Sequence, residues 1–136
     1  MAKAVGDGAR AVAQASVKRV DYATVYDLIS CDAVAFGSPN YFGYMAGLMK
    51  DFFDKAWSVR NSVAGKDAAA FTSGGGTSNS ALVSLENMIN YFKLEKASEG
   101  VVSSKKPTEQ DLDKCRELGR KLAEAATEKA KVAPKQ

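Results

Sequence analysis

An α/β fold with a mainly parallel sheet is the architecture this sequence predicts, and three observations predict it. Amphipathic stretches of helical spacing alternate with short apolar runs along the chain. Two of those runs, Ala33–Phe36 and Ala68–Phe71, have no polar alternate face, as expected of strands covered on both sides. Each ends in a glycine-bearing polar loop, Gly37–Gly43 and Thr72–Asn79, that leads directly into an amphipathic helix. In a parallel sheet such loops lie at the carboxyl edge, where α/β proteins bind their ligands.

In chain order, Met1 to about Gln14 reads as a helix with Val5, Ala9 and Val12 on one face. Gly6 and Gly8 weaken it, by about 1 kcal/mol each relative to alanine. Ala15–Val20 sets Val17 and Val20 among charged residues and reads as an exposed edge strand. Tyr22–Ser30, with Val25, Leu28 and Ile29, is a short helix. Gly37 and Pro39 are expected to stop the Ala33–Phe36 strand, because glycine permits a sharp turn and proline has no backbone donor. Met45, Leu48, Met49, Phe52, Phe53 and Ala56 recur at helical spacing and form a core stripe closed by Trp57. Val59–Lys66 is a connection. Leu82, Leu85, Ile89 and Phe92 mark the helix after the second loop, and Ala97–Val102 a further strand. Thr108 is an N-cap for the last helix, whose inner face is Leu112, Cys115, Leu118 and Leu122. Its alanine- and lysine-rich end is expected to fray over about residues 127–136.

The chain has 136 residues, 46% hydrophobic and 26% charged, which suits one folded domain over 1–136 and argues against disorder. The net charge of +3 comes from lysines near the C-terminus and at Lys105–Lys106, with no interleaved aromatics, so a solvated face is expected rather than a nucleic-acid site. No apolar stretch approaches a membrane span and the start lacks a signal-peptide pattern, which predicts a cytoplasmic protein. Cys31 and Cys115 form no CxxC pair and read as buried thiols. With no histidine, serine–histidine triads, histidine metal sites and histidine acid–base chemistry are excluded. An enzyme built this way relies on a cofactor for its reaction. No metal site and no catalytic side chain are singled out.

If the two strands are adjacent, their loops converge. Ser38, Pro39, Asn40, Tyr41, Phe42 and Gly43 come from the first loop, and Thr72, Ser73, Gly74, Gly75 and Gly76 from the second. Hydroxyls, an amide, two aromatic faces and glycine backbone together suit a heteroaromatic ring with carbonyl and nitrogen edges.

These residues also carry a resemblance. Ala33–Gly43, followed by Met49–Asp54, resembles the second flavin loop and third helix of flavodoxin-like proteins, closest to the NAD(P)H:quinone oxidoreductase and FMN reductase group. Ala70–Gly76 is similar to that group's third loop, and Glu117–Glu124 to its final helix. The resemblance implies a doubly wound flavodoxin-like sheet and an FMN cofactor, with NAD(P)H as cosubstrate and a quinone or similar small molecule as electron acceptor. It implies that Ser38–Gly43 line the flavin ring, with Tyr41 and Phe42 beside its face, and that Thr72–Gly76 contact its other edge. It places Trp57 near where tetrameric quinone reductases reach a neighbouring subunit's flavin, so a homodimer or homotetramer is expected. A simple electron carrier and a flavin-free interaction domain are the alternatives. Such proteins start with a strand and a Thr-Gly-Asn-Thr phosphate loop, whereas this sequence starts within the first helix. The expectation is therefore an N-terminally truncated fold of four recognisable strands with the FMN phosphate site missing. A mid-sheet gap would leave ladder groups unpaired at about 1–3 kcal/mol each. A longer parent chain, a sheet that closes up and a strand borrowed from another molecule all meet that difficulty.

Overall fold

The computed structural model describes residues 1–74 and 79–132. Its centre is β2 (Asp67–Ser73), where alanines 68, 69 and 70 are small enough for helices to lie close on both faces, and all three are buried. β1 (Ala33–Pro39) runs parallel to β2 over its full length, from Ala33 opposite Asp67 to Pro39 opposite Ser73. On the other edge of β2 lie two short parallel strands, β3 (Glu95–Lys96) against Asp67–Ala68 and β4 (Val101–Ser103) against Phe71–Ser73. A strand has two edges and β1 fills one, so β3 and β4 share the other as a single interrupted strand. The expected Ala97–Val102 strand is broken in this way.

Side chains of β2 alternate between two layers. Ala68 and Ala70 join Phe36, Phe53 and Phe92 beneath α2 (Val25–Ser30), α3 (Gly47–Ala56), α4 (Arg60–Val63) and α5 (Ser80–Tyr91). Ala69 and Phe71 join Val5, Cys115 and Leu118 beneath α1 (Ala2–Arg10) and α6 (Glu109–Val132). α1 and α6 touch backbone to backbone. A Cβ on Gly8 would stand 1.9 Å from the Arg116 carbonyl oxygen, and one on Gly119 would stand 2.0 Å from that of Val5. Gly8 costs helix propensity and gains this close approach.

Several expectations are corrected. Ala15–Val20 is not a strand, because no neighbour among the described residues offers it a ladder. The Ala33–Phe36 strand does not stop at Gly37. Asn40 N donates to the Ser73 carbonyl at 2.8 Å, so even-numbered amides of β1 face β2 and the missing donor of Pro39 falls on the outer edge, where it costs no ladder bond. That outer edge has no partner strand among the described residues, and Ala33, Val34 and Ala35 are only half-buried, so the sheet has not closed up. Trp57–Val59 is a 3-10 turn leading into α4, where a connection was expected. α6 is helical to Val132, with Lys129 Nζ held by the Gly65 carbonyl (2.8 Å), Glu95 (3.0 Å) and Asp67 (3.1 Å), while residues 133–136 of the expected fray lie outside the described residues. Cys115 is fully buried but Cys31 only partly.

Candidate functional site

The first loop begins where β1 leaves the sheet. Ser38 is buried, and its hydroxyl accepts from Ala46 N and donates to the Pro39 carbonyl, both at 2.8 Å, which ties the strand end to the approach to α3. Tyr41 and Tyr44 then exchange backbone hydrogen bonds of 2.9 and 3.1 Å across Phe42 and Gly43, whose φ angles are +55° and +78°. This is a two-residue hairpin turn with both central residues left-handed, a geometry that favours Asn-Gly. Phenylalanine in the left-handed region costs about 1–2 kcal/mol. The surroundings enforce it: Asn40 Oδ1 accepts from Gly43 N at 2.8 Å, and Met45 N donates to Ser84 Oγ on α5 at 3.1 Å. The result is a rigid tip on which Phe42 is fully solvent-exposed and Tyr41 more than half so.

Most amides of this loop are already used, by Ser73, Tyr44, Asn40, Tyr41, Ser84 and Ser38 in turn. Only Phe42 N–H among residues 40–46 has no partner among the described residues. The loop thus offers a ring two aromatic faces and one free donor, fewer backbone contacts than its composition suggests.

The second loop starts beside the first, since Asn40 N is bonded to the Ser73 carbonyl. Thr72 is buried in β2, Ser73 is half-buried with a hydroxyl that has no partner among the described residues, and Gly74 turns away at φ +81°. Gly74 N donates to the Ser103 carbonyl at 2.8 Å, which brings the end of β4 to the same edge. Gly75, Gly76 and Thr77 lie outside the described residues. A crevice of about 260 Å³ opens here, lined by Met1, Gly37, Ser38, Phe71, Ser73 and Pro107. Gly37 must be glycine because its Cβ would lie 2.2 Å from the Phe71 ring. Ser38–Gly43 and Thr72–Gly74 are therefore brought together. Trp57 is not: it lies at the other end of α3, about 15 Å away by helix rise, with its ring edge-on to Phe92 and under the Arg60 guanidinium. The residues that sequence reasoning missed are the fixing ones, Ser84 and Ser103. Tyr41-Phe-Gly-Tyr44 carried the one usable signal, glycine at the second turn position.

Residues 17–109, which include every residue of both loops, match the family model described as NADPH-dependent FMN reductase. The chain belongs to that family. Among curated proteins, it is 33% identical over 143 residues to a flavodoxin of Aquifex aeolicus, covering 91% of this chain and 77% of that protein. It is 31% identical over 177 residues to an NAD(P)H dehydrogenase (quinone) of Caulobacter vibrioides, covering 93% and 89%. That second alignment is longer than this chain, so the Caulobacter protein has insertions that this member of the FMN reductase family lacks. The solved structure of a flavodoxin from the domain Archaea superposes with a TM-score of 0.81 at 26% identity, over 92% of this chain and 87% of that one. The flavodoxin-like fold expected from the sequence is thereby established.

The donor set fits a flavin. Exposed aromatic faces, a free amide at Phe42 and a free hydroxyl at Ser73 suit a flat ring with acceptor edges, and no group of three metal-ligating acids or cysteines exists among the described residues. Burial pushes the thiols of Cys31 and Cys115 up, away from nucleophilic use. No described helix is long and apolar enough to cross a membrane.

Proposed function

We propose that this chain is an FMN-dependent oxidoreductase that takes reducing equivalents from NAD(P)H and passes them to a quinone or similar small acceptor. The observation that carries this reading is the convergence of the two strand-end loops at one sheet edge within the matched FMN reductase region. Bound FMN supplies hydride acceptance and one- or two-electron donation. The chain's own part is positional. Tyr41 and Phe42 offer the ring its flat contacts, Phe42 N–H and Ser73 Oγ offer donors to its edge, and Thr72 and Gly74 frame the other side. No side chain is assigned acid–base work.

The phosphate end is proposed to be held more weakly than the ring, because the two uncommitted donors of the loops among the described residues, Phe42 N–H and Ser73 Oγ, are assigned to the ring. Riboflavin should then quench on the 136-residue chain with nearly the affinity of FMN. The functional reading itself is tested by loading the protein with FMN and following NAD(P)H oxidation with a soluble quinone. Turnover supports a reductase. Flavin that is bound but not reduced by either nucleotide would favour the second reading, an electron carrier, which rests on the 33% identity to the Aquifex flavodoxin. Self-association is proposed through the exposed Tyr41, Phe42 and Tyr44 tip, and sedimentation of a monomer at micromolar concentration with flavin present would exclude it. A cytoplasmic location is part of the same proposal.

A further inference from the structure

The carboxyl edge of the sheet carries a projection on one side and a hollow on the other. The projection is the hairpin tip. Met45 N donates to Ser84 Oγ at 3.1 Å, and a Cβ on Gly43 would lie 3.4 Å from Ser80 Oγ, so the tip is held on the α5 side. From it Phe42 stands 108% exposed, at a φ of +55° that asparagine or glycine would adopt with less strain. A ring so placed adds nothing to the fold, and strain kept at such a position points to a contact made outside it. The hollow is the crevice of about 260 Å³, whose walls are mainly apolar: Met1, Ala2, Gly37, Pro39, Phe71 and Pro107. Met1 and Phe71 belong to the cluster beneath α1 and α6, so the crevice opens on the side away from α5, and no residue of the tip lines it.

A second copy can supply what its own chain does not. A two-fold axis lying in the plane of the sheet, across the strand ends, reverses strand direction and sheet normal together. It sets the tip of each copy against the crevice of the other, which gives a closed, isologous contact. Such an axis also sets each group near it against its own copy, where like charges would repel. Residues 33–49 and 68–85 contain no charged side chain, and the charges around the crevice (Lys3, Lys105, Lys106, Glu109 and Asp111) are of both signs. The exposed parts of Tyr41, Phe42 and Tyr44 amount to about two whole aromatic side chains, or roughly 400 Å² per tip. Matched on the receiving copy and doubled by symmetry, this approaches about 1,600 Å², the size of a standard interface.

Taking further the self-association proposed above, on which this rests, we propose that two copies pair about that axis with Phe42 of each seated in the crevice of the other. On the flavin reading, the site is then built by both copies: Tyr41 contacts the ring of its own copy, and the partner's Phe42 closes the crevice beside Ser38.

The test is sedimentation of the flavin-free 136-residue chain over about 1–100 μM, where an interface of this size should show a dimer. Phe42→Asn removes the ring and keeps a residue suited to the turn. Ala2→Trp fills the crevice from the exposed first turn of α1, and Ala2→Glu, which suits a helix start, blocks it with a carboxylate instead. Each variant alone should weaken pairing at least about thirtyfold, as loss of a central aromatic anchor does, with circular dichroism and melting temperature unchanged. Phe42→Asn mixed with either crevice variant should pair again, more weakly than the unmodified chain, because one intact tip then meets one intact crevice. An unmodified chain that stays monomeric would remove self-association altogether. Variants that pair as tightly as the unmodified chain, or a mixture that stays monomeric, would overturn this arrangement and leave self-association standing. Flavin quenching, measured separately, decides the flavin reading in every case.

Discussion

The two faces of the sheet are held by different physics. Beneath α2–α5, large side chains fill volume: Phe53 meets Phe36 at 4.8 Å, Phe92 at 5.5 Å and Phe52 at 6.2 Å between ring centroids. Beneath α1 and α6 Phe71 is the single aromatic of the cluster, and the two helices meet by backbone, at Gly8 against Arg116 and Gly119 against Val5. The aromatic face can yield a little to a change of shape, whereas a backbone contact has nothing to move. The two loops proposed to hold the flavin spring from the strands between these faces, so both must hold for the site to keep its geometry.

Four substitutions or titrations break or sharpen that contrast. The largest effect should come from Phe53→Ala, which empties the centre of the aromatic face and should cost about 3–5 kcal/mol in urea denaturation. Gly8→Ala should follow. Propensity alone predicts a gain of about 1 kcal/mol, but the collision with Arg116 should turn this into a net loss of about 1–3 kcal/mol. Gly6→Ala is the partner measurement, because the added Cβ would meet only the Val17 and Arg10 side chains, and the change should be close to neutral. A stabilised Gly8→Ala protein would remove the backbone-contact account. Phe42→Asn tests the site between the faces. It should leave stability unchanged or raised by up to about 1 kcal/mol, through relief of the left-handed φ, while flavin fluorescence quenching weakens.

The smallest effect is electrostatic and occurs once on each face. The Lys18 side-chain hydrogen bond, followed by the Thr24 amide, holds the Asp27 carboxyl at the start of α2 below its usual value of 3.8, and the Thr108 amide does the same for Asp111 at the start of α6. Because both folded-state values are lowered, their contribution is full above about pH 4 and drains away as pH falls through the folded values. Thermal melts between pH 6 and 3 should show a steeper acid loss for the unmodified protein than for Asp27→Asn or Asp111→Asn.

Much of this was legible in the sequence where side-chain volume and period decide the outcome. The Met49, Phe52, Phe53, Ala56 stripe is buried as its spacing requires, and both apolar runs became adjacent parallel strands. What escaped was settled by neighbours distant in sequence. Ala15–Val20 has strand composition but no ladder partner, and residues 127–132 have fraying composition but gain Asp67 and Glu95 as anchors. In the site, the residue types were readable, whereas the spending of nearly every loop amide on internal bonds was not. That depends on Ser84 and Ser73, which reach the loop from α5 and β2 respectively.

The unpaired outer edge of β1 should be visible as a rhythm in amide hydrogen exchange. Because Asn40 faces β2, the amides of Val34, Phe36 and Ser38 point into the ladder, while those of Ala35 and Gly37 point away from it. Protection along this one strand should therefore alternate residue by residue, slow at even positions and fast at odd ones, while β2 is uniformly slow. A strand laid against that edge by any other chain would slow Ala35 and Gly37 and erase the alternation, so two amide signals report whether the sheet is ever completed.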